Sequence, residues 1–181
     1  ISYKVRDTRE NLSLKFKRER KDTLSIGLLH ANVGSRVEHE PYAPCTINDL
    51  RSANMDMWLL GHIHTPDVIS KDPLMLYPGN IQGRHIHEDG PRGCYLITVD
   101  ADQKTSYEFK PVQNIVWKCE EVNIEKTSTL LELVDLLSDR SEEGLANLTN
   151  GEKGIVTRWR LTGSSPLYHE LTISDKVEEV K

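Results

Sequence analysis

No apolar run in this 181-residue chain approaches the roughly 20 residues that a membrane-spanning helix needs, so nothing in it reads as a membrane span. No signal peptide opens it either. Cysteine is scarce: Cys45, Cys94 and Cys119 lie far apart and form no CxxC, which fits the reduced thiols of a cytoplasmic protein better than a disulfide framework. Internal repeats and low-complexity tracts are missing. So is an excess of positive charge. With 23 Lys and Arg against 28 Asp and Glu, the net charge is −5, and the chain as a whole is not a bulk nucleic-acid binder.

What is present is ordinary for a folded protein, with 37% hydrophobic and 28% charged residues. The length suffices for one sizeable domain or two small ones. Charge is unevenly spread. Residues 1–21 are basic (Lys4, Arg6, Arg9, Lys15, Lys17, Arg18, Arg20, Lys21), whereas 120–154 is acidic. The basic start fits a solvated helix face, or an electrostatic footprint for a polyanion. The chain begins at Ile1 and at once in strand-like sequence, which reads as a piece of a longer protein.

The pattern along the chain predicts two parts. "ISYKV" reads as a strand and "DTRENLSLKFKRE" as a helix capped by Asp7 or Thr8, with Leu12 and Phe16 on one face. "TLSIGLLHANV" and "MDMWLL" are apolar on both faces, as buried strands of an α/β sheet are. Between them "EPYAPC" reads as a loop and "TINDLRSAN" as a short helix with Thr46 and Asp49 in capping-box spacing. Next come two hairpins, "DVIS" with "LMLY" about "KDP", and "GCYLITVD" with "TSYEFKPV" about "ADQK". From about residue 112, "NIVWKCEEVNI" reads as a strand. An amphipathic helix follows, with Leu130, Leu133, Val134 and Leu137 on one face and Thr129 and Glu132 as its capping box. "GIVTRWRLTG" is a strand with Ile155, Trp159 and Leu161 on one side and Arg158 and Arg160 on the other. "ISDKVEEVK" reads as a helix barely begun. The expected class is mixed α/β, with a first part over 1–111 and a small α+β module over 112–181.

Six of the seven histidines lie between residues 30 and 87. His30, His62 and His64 stand at or just past the carboxyl ends of apolar strands, the edge at which open α/β sheets bind ligands. Histidine is also the commonest side-chain ligand of transition metals. In an extended segment, residues i and i+2 point the same way, so His62 and His64 can share a pocket, with Gly61 permitting a tight turn. An HxH pair also suits two surface histidines in a loop. The similar strand ending at His30 and the "YPGN" at 77–80 favour the pocket.

"IGLLHANVG", "DLRSANMDMWLLGHIHTP", "YPGNIQGRHI" and "GPRGCYLITVD" together resemble the second half of the calcineurin-like metallophosphoesterases, and more narrowly their SbcD-type DNA-repair exonuclease branch. The resemblance covers residues 1–111 well. It extends more loosely through 112–171, where "RLTGSSPLYHEL" looks like that family's capping domain. It implies the second half of a β-sandwich flanked by helices, followed by part of a DNA-orienting cap. It also implies a pair of divalent metals, typically Mn²⁺, with His30 and His62 on one and His64 on the other. The metals would clamp phosphate oxygens and lower the pKa of a bridging water. Implied partners are DNA and an SbcC-type coiled-coil ATPase, with homodimerisation of the complete protein and a cytoplasmic setting. The family's first half supplies an Asp-x-His, a bridging Asp and an Asn-His pair whose His acts on the leaving group. No DxH and no GNH occurs here, so that catalytic His is expected upstream of Ile1.

Arg84 and His85 in "QGRH" could touch a substrate phosphate, or belong to a loop tied down by its own hydrogen bonds. His39 and His87 read as surface, and His169 has no partner motif. Arg92, Arg158 and Arg160 suit DNA-backbone contacts or ion pairs with nearby acids. Trp58, Trp117 and Trp159 read as core. Two other functions stay open: a phosphatase or cyclic-nucleotide phosphodiesterase on the same scaffold, and a non-catalytic module that binds DNA or a partner.

Overall fold

A computed structural model describes residues 8–34, 42–149 and 151–172. The expected strand over 1–5, the Asp7 cap, His39, part of the "EPYAPC" loop and the helix from residue 173 lie outside the described residues. Contacts divide the chain into two compact units. The first takes in the described residues up to Gln82 together with Arg92–Val112, and the second takes in Gly83–Pro91 and the described residues from Gln113 onward.

In the first unit, β1 (Ile26–His30), β2 (Met57–Gly61), β3 (Asp67–Lys71) and β4 (Leu74–Tyr77) form one sheet in the order β1-β2-β4-β3. β1, β2 and β4 run parallel, and β3 returns antiparallel to β4. The expected β3–β4 hairpin is therefore present, but its second strand also continues the parallel sheet. β5 (Gly93–Val99) and β6 (Thr105–Pro111) form the second hairpin. Its turn is closed by the Asp100 carboxylate, which accepts from the backbone N–H groups of Asp102 and Lys104.

Two apolar layers hold this unit together. On one face Leu29, Trp58, Leu60, Met75 and Tyr77 pack with Leu12, Leu50 and Phe16. On the other, Met57, Leu74 and Leu76 pack against Tyr95, Ile97, Val99 and Tyr107 of the hairpin. Trp58 is fully buried and its indole N–H donates to the Leu50 carbonyl at 3.1 Å, seating α1 (Ile47–Ser52) on the sheet. Thr46 and Asp49 form the expected capping box of α1. β1 departs from its buried-on-both-faces reading. Leu29 is buried, but Ile26 and Leu28 are 45% and 57% exposed, because among the described residues β1 is an edge strand and the hairpin packs on β2, β3 and β4 instead.

The basic segment departs further. Where a helix over 7–19 was expected, the described residues 8–19 form only a 3-10 turn, Leu12–Lys15, with Asn11 accepting from the Ser13 N–H. Leu12 and Phe16 do face the core, but Phe16 is extended at φ −88° and ψ 133°. The Arg18 guanidinium then donates to the carbonyls of Arg20, Lys21, Thr23 and Asn54 and to the Asp56 carboxylate. A fork of charged donors satisfied by a wrapped chain outcompetes a short, marginal helix.

Asp56 receives the Arg18 Nη1 and the Ser25 N–H, each at 2.7 Å. Burial pushes this carboxyl up, but the Ser25 and Arg18 hydrogen bonds outweigh it and hold the group below the usual carboxylate range. A folded-state value below the unfolded one stabilises the fold above pH about 4, and that stabilisation is lost as the pH falls through the folded value. Asp56→Asn is expected to destabilise the protein at pH 7 by about 1–3 kcal/mol. Urea melts of both proteins should converge on acidification.

Cys45 is 5% exposed, and burial together with the Asp49 carboxylate pushes its thiol up to about 11. Cys94 and Cys119 are exposed. Iodoacetamide at pH 8 should modify Cys94 and Cys119 in the native protein and reach Cys45 only after denaturation, as read by mass spectrometry.

The second unit is a β-α-β module. β7 (Ile115–Asn123) and β8 (Gly154–Thr162) pair in parallel, joined through α2 (Leu130–Ala146). The Thr129–Glu132 capping box is present. The buried stripe of α2 is turned from the expected one. Leu133 and Leu137 are buried with Leu130 and Leu136 beside them, whereas Val134 is 40% exposed. Both Val134 and Leu136 suit helical spacing, and the parallel strand pair selects the Leu136 side. Trp159 and Leu161 join this core, and Leu167 closes it ahead of α3 (Tyr168–Thr172). Among the described residues no helix is long and apolar enough to cross a membrane.

Candidate metal centre

His30 ends β1 and lies in register with Gly61, which ends β2. The pairing continues one residue further, through the Ala31 N–H to the Gly61 carbonyl at 3.3 Å. Just beyond, the Tyr77 hydroxyl donates to the Ala31 carbonyl at 2.8 Å and accepts from the Val33 N–H at 2.9 Å, so β4 anchors the chain leaving His30. Gly61 is required by packing. A Cβ there would stand 2.8 Å from His30 Nδ1, inside van der Waals contact.

His62 follows with φ 100°. A non-glycine residue in that region costs about 1–3 kcal/mol and persists only where its surroundings over-determine it, often at functional sites. The segment is therefore not extended at His62, so strand alternation is not what sets the two rings. β2 has ended at Gly61, and the placing of both rings depends on the turn. Ile63, 3% exposed, plugs into the core between them.

The turn brings His62 to His30, with ring centroids 5.3 Å apart and planes at 73°. Tyr42 meets both. Its ring is edge-on to His30 at 5.0 Å and stacked on His62 at 5.8 Å. Burial holds the His30 imidazole below its ordinary value, and the neighbouring His62 and His64 lower it further. It therefore favours the neutral form, the one with a lone pair for a metal. His64 lies on the exposed side of the turn, with its carbonyl accepting from the Asn80 N–H at 3.1 Å. Gly79, at φ 74°, brings "YPGN" against this turn, where a Cβ would stand 2.7 Å from the His64 carbonyl oxygen. Among the described residues no group of three or more His, Cys, Asp or Glu side chains is arranged to hold a metal ion. The donors present are imidazoles.

Arg84 and His85 belong to the second unit. There the buried Glu88 carboxylate accepts from the Arg84 backbone N–H at 2.8 Å, with Arg84 Nη2 at 3.7 Å and His85 Nε2 at 3.5 Å. The loop is further seated by the Trp117 indole N–H on the Gly83 carbonyl. His87 meets His85 ring to ring at 5.9 Å. Arg160 pairs with Glu121 at 3.0 Å. Arg92 is not a surface cation at all: it is 2% exposed and bonds the His64 carbonyl. Tyr42, Asn80 and Arg92 were not legible in sequence as neighbours of the histidines, since only the fold brings such distant segments together.

No family model matches the chain. It is 33% identical over 167 residues to a Bacillus subtilis (strain 168) protein named uncharacterized metallophosphoesterase YhaO. The alignment covers 92% of this chain and 40% of that relative, so the chain spans less than half the length of the relative it matches.

Proposed function

We propose, from a likeness that supports the metallophosphoesterase superfamily and hence a phosphoesterase-type hydrolase, that the protein is a metal-dependent DNA nuclease acting in repair, of the SbcD-type branch. Residues 1–111 form the second half of its phosphoesterase domain, and 112–181 form part of the cap that orients DNA. The observation that carries the reading is the His30–His62 pair at the carboxyl ends of adjacent parallel strands, with His62 held in a left-handed conformation beside a neutral-favouring His30.

His30 and His62 would hold one divalent ion and His64 would take part in holding a second. Such ions, Mn²⁺ in this reading, supply Lewis acidity toward phosphate oxygens and a water nucleophilic at neutral pH. This chain's own residues set the donors. Tyr42 packs against the His30 and His62 rings, and Gly61 leaves room for the His30 ring. Histidine donors alone leave the charge of the ions unbalanced, so carboxylates from outside this chain complete the site. The enzyme works in the cytoplasm on DNA, as a homodimer with a coiled-coil ATPase of the SbcC type. Turnover of a DNA duplex, of bis(p-nitrophenyl) phosphate and of a cyclic nucleotide by a longer protein that includes the upstream motifs tests the substrate. Preference for the small esters would replace the nuclease reading with the phosphodiesterase one.

A further inference from the structure

Arg92 lies immediately before β5, where its carbonyl accepts the Val112 N–H at 3.1 Å and so ties it to the β5–β6 hairpin. The side chain is 2% exposed. Burying a guanidinium costs several kcal/mol unless its N–H groups are well bonded. Nη1 donates to the carbonyl oxygen of His64. That oxygen also accepts the Asn80 N–H. A carbonyl has two lone pairs, so both are engaged and the peptide plane after His64 is fixed.

Two residues earlier stands the strained His62. Its upstream side is fixed by the β1–β2 register that sets Gly61 against His30. Ile63 is locked in the core. The downstream side is fixed at the His64 carbonyl. We propose that Arg92 is the positioning residue of this turn: through the His64 carbonyl it holds segment 62–64 in the conformation that sets the His62 ring beside His30. Its consequence for hydrolysis rests on the phosphoesterase reading, but its geometry does not. A fixed guanidinium suits the task because its planar fork loses less freedom per hydrogen bond than a lysine ammonium.

The test is NMR of the metal-free 181-residue chain with labelled histidines, as wild type, Arg92→Met, Arg92→Gln and Arg92→Lys. In Arg92→Met, the His62 and His64 ring signals should move while those of His85, His87 and His169 stay. The Asn80 amide should exchange roughly tenfold faster or more, the scale of one lost hydrogen bond to a charged group. Arg92→Lys should restore part of both effects. Unchanged ring signals and Asn80 exchange in a folded Arg92→Met overturn the proposal. If that variant does not fold, the same result in Arg92→Gln does so. In a longer, active protein, Arg92→Met should lower kcat roughly tenfold or more with a smaller change in KM, the pattern of a misplaced rather than a lost binding group. Should the longer wild-type protein hydrolyse no phosphoester, the phosphoesterase reading fails, while the ring signals still decide the role of Arg92.

Discussion

Changing His62 to Ala in a longer protein that carries the upstream motifs is expected to abolish manganese-dependent DNA hydrolysis, lowering kcat by about 10²-fold or more. Lewis-acid stabilisation by a bound ion is worth several kcal/mol. His62 contacts both His30 and Tyr42, so its loss removes a donor and loosens the His30 ring at the same time. Alanine keeps a Cβ, so the strain at φ 100° persists in the variant, and the lost ring contacts are not offset. The variant should therefore melt slightly below wild type, still folded, while losing turnover. Steady-state kinetics beside a thermal melt checks the pair of outcomes. Retained turnover would remove His62 from the site.

The second large effect concerns the 181-residue chain by itself. It is expected to bind Mn²⁺ weakly and to show no DNA hydrolysis. Three imidazoles carry no charge to offset a divalent ion, and they are divided between two ions in this reading. A carboxylate bridge is also needed to hold two cations about 3.5–4 Å apart. A positioned proton donor to the leaving group, worth roughly 10²–10⁴ in rate, has no counterpart among the motifs found here. Extending the chain through an Asp-x-His, a bridging Asp and an Asn-His pair should restore both binding and turnover. Manganese-dependent turnover by purified 1–181 that disappears in His62→Ala would mean that the site closes with fewer ligands, or across two copies of the chain.

Much of this fold was legible because local chemistry decided it. Thr46 with Asp49 and Thr129 with Glu132 cap helices by contacts three residues apart, and the Asp100 carboxylate closes the short turn between the two alternating strands of the second hairpin. Where the deciding contacts are distant, the reading failed. The helix expected over 7–19 yields to Arg18, whose acceptors include Asn54 and Asp56, 36 and 38 positions away. Val134 and Leu136 are equally apolar, and only the packing of β7 and β8 chooses between them.

The candidate site divides in the same way. His30, His62 and His64 stood out by their place at strand ends. What sets their rings did not, because Tyr42 and Arg92 are ordinary residues in unremarkable segments. Arg92 reads as a surface cation until its 2% exposure and its bond to His64 are known. The bend at His62 was hidden too, since HxH after an apolar strand looks extended.

The claim that His30, His62 and His64 form a metal-binding edge is tested most directly by titrating Mn²⁺ into the histidine-labelled 181-residue chain and following each ring signal. Paramagnetic broadening should reach His30, His62 and His64 first, at manganese levels that leave His85, His87 and His169 sharp, however weak the binding. Broadening that begins at His85 or His87, or that strikes all histidines alike, would contradict it.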